Sequence, residues 1–376
     1  MHIVIYNINS FGGNYEYSKE LFNAYRRNAN VTEATLLMPR NSAIKGNGIL
    51  PILLEDKSKF KNRFIRKLDY IYKGITNPFK LYKFLKERDP SFVIFNDYDQ
   101  TTSPIWVPLL KQLKKKHKFG VILHDPDRDM FLPRKWMSAF TMDKVMSLMD
   151  IAFHHGFLPE KSYYRYNIPK VTVPHGLYPT IPINKAFYDD VKSRQKRPYI
   201  LGLIGNIRDE KNYEFIINAL PHLPNCNLLV AGGIANSKVP VNDYKKLIAD
   251  LNLQDKVIWI ERYLDDDELN AAIDVSDVVL LYYKSSFTSQ SGILNNIAPY
   301  SKKLLATDTP SALKEVVQKY KLGMLVTPND QADFIAAVNE LTAAAKSTYD
   351  KGWADYAQDA TWEAHAAIGI NNFKDL

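Results

Sequence analysis

The chain has 376 residues, 46% apolar and 24% charged, an ordinary soluble composition with room for about two domains. Its single cysteine, Cys226, excludes an internal disulfide and a cysteine-rich zinc site. The net charge of +8 is uneven: residues 1–180 hold 28 Lys and Arg against 16 Asp and Glu, leaving 21 against 25 beyond them. That split argues against a nucleic-acid binder and for a first domain that faces an anionic surface or acceptor.

No apolar run approaches the ~20 residues that span a bilayer. The opening MHIVIYNI reads as a strand rather than a secretory leader. The expectation is a cytoplasmic protein, free to sit peripherally at the inner face of a membrane.

In chain order, short Val-, Ile- and Leu-rich runs alternate with helical stretches. Strands are expected at His2–Ile8, Ala34–Met38, Ser91–Asn96, Phe119–His124, Ile151–His154 and Val171–Val173. A second series follows at Tyr199–Ile204, Asn227–Ala231, Val257–Ile260, Val278–Tyr282, Lys303–Ala306 and Met324–Val326. Runs without polar alternation suit strands covered on both faces, and the βαβ rhythm implies a parallel, doubly wound sheet, twice over. The expected architecture is α/β: two Rossmann-like domains, 1–177 and 199–348, facing a central cleft. Between them 178–198 reads as a linker, with three prolines around a charged run, and 349–376 reads as a helix packed back on the body.

Ligands of such sheets bind outside the strand carboxyl ends. In the first half the first turn carries Gly12, Gly13, Asn14 and Glu16, where paired glycines let backbone approach a ligand. It is not G-x-G-x-x-G, so no nicotinamide or flavin site is read and no cofactor is expected. His124 and Asp125 end a later strand, followed by Asp127. A carboxylate there suits deprotonation of a hydroxyl, and a histidine suits a sugar or phosphate. His154, His155 and His175 lack the spacing of a zinc helix and read as structural, and no metal site is expected. Residues 55–90 interleave Lys and Arg with aromatics, which fits either an interfacial helix on anionic lipid or a solvated amphipathic helix.

In the second half, YILGLIGNIRDEKNYEF reads as strand, turn and helix. Gly205, Asn206, Arg208 and Lys211 lie in the turn, a combination of close backbone approach, cations and a helix start that suits phosphate. Tyr263 and Leu264 follow another strand and are placed to frame a base. The segment from Tyr283 through Ser289, Ser291, Gly292 and Ile293 reads as a hydroxyl-rich loop opening a helix, a second anion cradle.

These turns resemble those of GT-B glycosyltransferases in the large group related to glycogen and sucrose synthases. The likeness is architectural over nearly the whole chain, with its motifs in 199–308. Gly205 and Lys211 match the family's Gly and diphosphate-gripping Lys in register, with Asn206 where Arg is usual and Arg208 nearby. Gly292 and Ala298 match a second signature, but Ser289 and Ile297 stand where the family has glutamates, the first of which holds donor-sugar hydroxyls. The Gly12–Gly13 turn and His124 fall where the family places its acceptor-side loop and a histidine near the donor sugar.

The resemblance implies transfer of a sugar from a nucleotide diphosphate sugar to a hydroxyl, without metal, in bacterial polysaccharide or glycoconjugate synthesis, with a lipid-linked acceptor compatible with the basic first half. An inverting reaction needs a base, for which Asp125 stands first, with Asp127 and Glu16 behind it; a retaining one leaves Asp125 to orient the acceptor. A degenerate nucleotide-binding module and a sugar-nucleotide epimerase are the alternatives.

Overall fold

The computed structural model describes residues 1–376 as two units, Met1–Gly176 with Ala360–Leu376, and Leu177–Asp359. The first is built on a seven-stranded parallel sheet. β1 (His2–Tyr6) feeds α1 (Gly13–Arg27), then β2 (Glu33–Pro39), β3 (Ile49–Leu53) and α2 (Arg63–Lys86). The chain continues through β4 (Ser91–Phe95), α3 (Ser103–Lys111), β5 (Lys118–Leu123), α4 (Lys135–Met146), β6 (Ile151–His154) and β7 (Lys170–Thr172). All five residues of β1 are buried, as a strand covered on both faces requires. It pairs in parallel with both β2 and β4, Val4 facing Thr35 on one side and Val93 on the other.

β3 was absent from the expected strands. Its sequence, ILPIL, carries Pro51, which cannot donate a ladder hydrogen bond. The strand order β3-β2-β1-β4-β5-β6-β7 explains how it is tolerated: β3 lies at the sheet edge, where proline is allowed.

The second unit opens with α5 (Lys185–Arg194), so the stretch read as a linker holds a ten-residue helix, N-capped by Asn184. β8 (Tyr199–Ile204), α6 (Tyr213–Ala219), β9 (Cys226–Ala231), α7 (Val241–Asp250), β10 (Val257–Ile260) and α8 (Asp266–Val275) follow. The sheet is completed by β11 (Val278–Leu281), α9 (Gly292–Ile297), β12 (Lys303–Thr307), α10 (Ala312–Tyr320), β13 (Gly323–Val326) and α11 (Gln331–Ala343). Its order is β10-β9-β8-β11-β12-β13. Leu201, Leu203, Leu228, Val230 and Leu280 form the centre of its core.

The tail is two helices, not one. α12 (Asp350–Asp359) belongs to the second unit, whereas α13 (Trp362–Lys374) belongs to the first and packs on α1. Thr361 caps α13 by accepting from the Ala364 amide, which fixes the break.

Each sheet reverses its strand order once, between β1 and β4 and between β8 and β11. At such a switch point neighbouring crossovers diverge to opposite faces and leave a crevice beyond the strand ends. The turn after β1, with Gly12 to Glu16, and the turns after β8 and β11, with Gly205 to Lys211 and Tyr283 to Gly292, lie at these two positions.

Candidate functional site

In the second unit the turn after β8 begins at Gly205, whose φ of +86° favours glycine. A Cβ here would lie 2.7 Å from Ile293 Cδ1 and 3.6 Å from Lys211 Nζ, so the absent side chain brings the turn against the start of α9. Gly232, after β9, is packed so tightly that a Cβ would overlap the Gly205 carbonyl. The turn runs through a single 3-10 turn, Asp209–Lys211, and a left-handed Asn212 before α6 starts.

Lys211 is 3% exposed and donates to the Ile204 carbonyl at 2.5 Å. Burial, with Arg208 nearby, holds its ammonium well below the ordinary lysine range. Arg208 lies beside Tyr283, and its buried Nε has no hydrogen-bond partner. Across the switch point the Tyr283 hydroxyl is 2.9 Å from Ser291 Oγ, and its ring stacks on Phe287 with centroids 3.9 Å apart. The Lys284 amide donates to the Glu210 carbonyl, joining the two turns. Gly205, Arg208, Lys211, Tyr283, Ser291 and Ile293 are therefore brought together.

Other expected donor-side residues are placed as follows. Asn206 is exposed in the same turn. Ser291 caps α9, a six-residue helix beginning at Gly292, without a side-chain cap bond. Ser289 is buried, its carbonyl accepting from the Leu313 amide. Ile297 is fully buried, an apolar core position where the resembled family has a carboxylate. Tyr263 is 60% exposed beside buried Leu264.

The first switch point is a polar network. His124 Nε2 donates to Asn96 Oδ1 at 3.0 Å, and Asn96 Nδ2 donates to the Asn14 carbonyl at 2.8 Å. The side-chain amides of Asn9 and Asn14 both donate to Asp97 Oδ2, and the Tyr98 amide donates to Oδ1. Burial raises Asp97 above the usual carboxylate range against the lowering effect of Asn14 and Arg128. The half-buried Arg128 lies beside Tyr98, Asp125 and Asp97, and its Nε lacks a partner. Asp125 itself is exposed. Gly12, at φ +84°, and Gly13 leave open space where a Cβ would stand.

Two expected carboxylates are engaged elsewhere. Asp127 accepts from Lys161 at 2.7 Å, and against opposing burial Asp127 and Asp129 push Lys161 up to about 12. Glu16 pairs with Lys19 at 2.9 Å along α1. Asp97 was missed by sequence reasoning. The signal was present, since Asp97 directly follows the expected strand Ser91–Asn96, but only strand order shows that this strand flanks the switch point.

Behind the network His124, His155, His175 and His365 surround Tyr17, with ring centroids 4.5 to 5.8 Å from it. His155 Nδ1 donates to the Val173 carbonyl and His365 Nδ1 to that of Pro174, while both Nε2 atoms are buried without partners. Burial lowers His155 and His365 to about 3 and His175 to about 4. These are neutral, structural side chains. No cluster of three or more His, Cys, Asp or Glu side chains is positioned to hold a metal ion.

Residues 184–358 match the family model described as Glycosyl transferases group 1. No curated protein sequence matches the chain significantly. Among solved structures, sucrose-phosphate synthase from Thermosynechococcus elongatus superposes with a TM-score of 0.71 at 14% identity, over 100% of this chain and 98% of that one. Anabaena HepE in complex with UDP and glucose gives 0.69 at 12%, covering 100% of both chains. A trehalose-6-phosphate structure from E. coli bound with UDP-2-fluoro glucose gives 0.69 at 10%, over 100% of this chain and 99% of that one. The match to the group 1 glycosyl transferase model is thus confined to residues 184–358, and the chain's two parallel sheets have the GT-B architecture of these solved structures.

Proposed function

We propose that the protein transfers a sugar from a nucleotide diphosphate sugar to a hydroxyl acceptor, and that the second switch point holds the donor diphosphate. The observation that carries this reading is Lys211: an ammonium group buried against a glycine turn, with a cationic neighbour in Arg208 and no carboxylate partner among its hydrogen bonds. A buried cation of this kind is strongly stabilised by an anion. As the glycosidic bond breaks, negative charge develops on the leaving diphosphate. Arg208 and Lys211 would neutralise it without a metal ion, assisted by the Tyr283 and Ser291 hydroxyls. HepE in complex with UDP supports a uridine donor as the first to try.

On the acceptor side Asp97 joins Asp125 as a carboxylate for a hydroxyl group. A raised pKa makes Asp97 the stronger base once ionised, provided that it receives the acceptor proton directly. An inverting reaction uses that proton transfer; a retaining one uses the same carboxylate to orient the hydroxyl. The basic α2 fits a peripheral enzyme at the inner face of a bacterial membrane, acting on a lipid-linked acceptor in polysaccharide synthesis. Ser289 and Ile297 in place of the family's glutamates favour a second reading, a nucleotide-binding module without transfer.

The test is incubation with a panel of nucleotide sugars, with and without crude lipid acceptor, following release of nucleoside diphosphate. Acceptor-dependent release is expected. Tight nucleotide binding with no release under any condition would establish the binding module, and conversion of the sugar without release would establish an epimerase.

A further inference from the structure

α2, α3 and α4 form one layer against the first sheet, α2 touching α3 and α3 touching α4. At the strand-carboxyl end of this layer each helix turns large apolar side chains to solvent. α2 has 24 residues, roughly 36 Å of helix. The five-residue strands β1 and β4 span only about 17 Å. The helix therefore outruns the sheet. Its second half is buried through Asn77, Leu81 and Leu85, and Gly74 packs against Asp99 and Thr102 in the turn after β4. Every residue from Arg63 to Tyr72 except Asp69 is exposed.

The overhang presents Phe64 at 69% and Tyr72 at 59% exposure. Three side chains at the same end add to it: Ile105 in the first turn of α3, Met130 ahead of α4 and Trp136 in the first turn of α4, the last two 83% and 63% exposed. Soluble surfaces seldom leave this many large apolar side chains uncovered at one end of a helical layer. The charge identifies the partner. Residues 57–73 carry seven Lys and Arg and one acidic residue, Asp69, which Lys73 already pairs at 2.7 Å. Lys59 pairs with Glu55 at 3.0 Å, whereas Lys61, Arg63, Arg66 and Lys67 pair with no carboxylate; aromatics among such cations match the interface of an anionic bilayer, where rings sit at headgroup depth and cations meet lipid phosphates.

We infer that the strand-carboxyl end of the first unit docks on an anionic bilayer through a face shared by the α2 overhang and the Met130–Trp136 segment that opens α4. The Asp97 network opens at the same end of the sheet. Resting on the transfer reading, this face would present that network to an acceptor carried in the bilayer; the docking itself does not depend on transfer.

The full chain is sedimented with vesicles of phosphatidylglycerol and phosphatidylcholine, and with phosphatidylcholine alone. Binding is expected to the anionic vesicles and to weaken with salt. Replacing Arg63, Arg66 and Lys67 together by Gln should lower partitioning about a hundredfold. Met130→Ser with Trp136→Ser should lower it roughly tenfold or more. Neither set should change nucleoside diphosphate binding, which controls for folding. Trp136 is the one exposed tryptophan of five, so vesicles should shift the emission to the blue in the wild type and not in Trp136→Phe. Absence of binding to anionic vesicles, or equal binding by both variants, overturns the inference. Self-association that these variants abolish, without vesicle binding, overturns it in favour of a protein interface. Vesicle binding without transferase activity leaves the docking face standing and removes the transfer reading alone.

Discussion

The two switch points share a topology and differ in chemistry. Beyond β8 and β11 the site is made by missing side chains and cations: Gly205 and Gly232 bring two backbones together, beside buried Lys211 and half-buried Arg208. Beyond β1 and β4 it is made by carboxamides and a carboxylate, Asn9, Asn14, Asn96 and Asp97, backed by neutral histidines. A doubly wound sheet supplies the crevice in both cases. On the proposed function, the side chains at the strand ends fit one to a diphosphate and the other to a hydroxyl group.

The comparison breaks most readily at Asp97. If the first switch point handles the acceptor hydroxyl in an inverting reaction, Asp97→Asn should lower the turnover rate by about a hundredfold or more with donor affinity unchanged. A large loss in Asp125→Asn with none in Asp97→Asn would move the role to the exposed carboxylate. Steady-state kinetics with both substrates varied separate these outcomes.

Gly232→Ala tests the packing of the second switch point. The added methyl has only the Gly205 backbone to displace, so a loss of about 3 kcal/mol in unfolding free energy is expected, measured by denaturant titration. Tolerance within about 0.5 kcal/mol would mean that the two turns are not held in contact.

Acid tests the neutral core behind the first switch point. His155, His175 and His365 have folded pKa values of about 3 to 4 against 6.5 for the free side chain. Between those values the unfolded chain binds more protons than the folded one, so stability is full above about pH 6.5 and falls as pH drops towards 4. The loss should reach about 1 kcal/mol per pH unit for each histidine. Thermal unfolding between about pH 7 and pH 5 measures it, and His155→Gln should make the dependence shallower. A flat profile would show these histidines to be solvated.

Glu16→Gln is the smallest change. Its only ion pair is with Lys19 on the surface of α1, so stability should move by less than about 0.5 kcal/mol and transfer should not change. A clear loss of activity would return Glu16 to the acceptor side.

Much of this was legible in the sequence because it is local. The βαβ rhythm, the Gly205–Lys211 turn and the Tyr283–Gly292 loop each lie within one crossover, where strand, turn and helix signals are read together. What escaped depends on contacts distant in sequence. Asp97 matters because β4 lies beside β1, a pairing no local pattern encodes. β3 was hidden by Pro51, tolerable only because the strand is at the edge. The histidines form a cluster only when α13 returns to the first unit and brings His365 to Tyr17. The tail read as one helix because its apolar spacing continues across the break at Thr361.

The central claim is that Lys211 grips the donor diphosphate, and calorimetric titration with UDP tests it most directly. Burial holds the Lys211 ammonium below its ordinary range in the free protein, and an entering diphosphate favours its charged form. The account predicts binding in the wild type and affinity reduced about a hundredfold in Lys211→Ala. Equal affinity in the two proteins, with the variant folded, would contradict it.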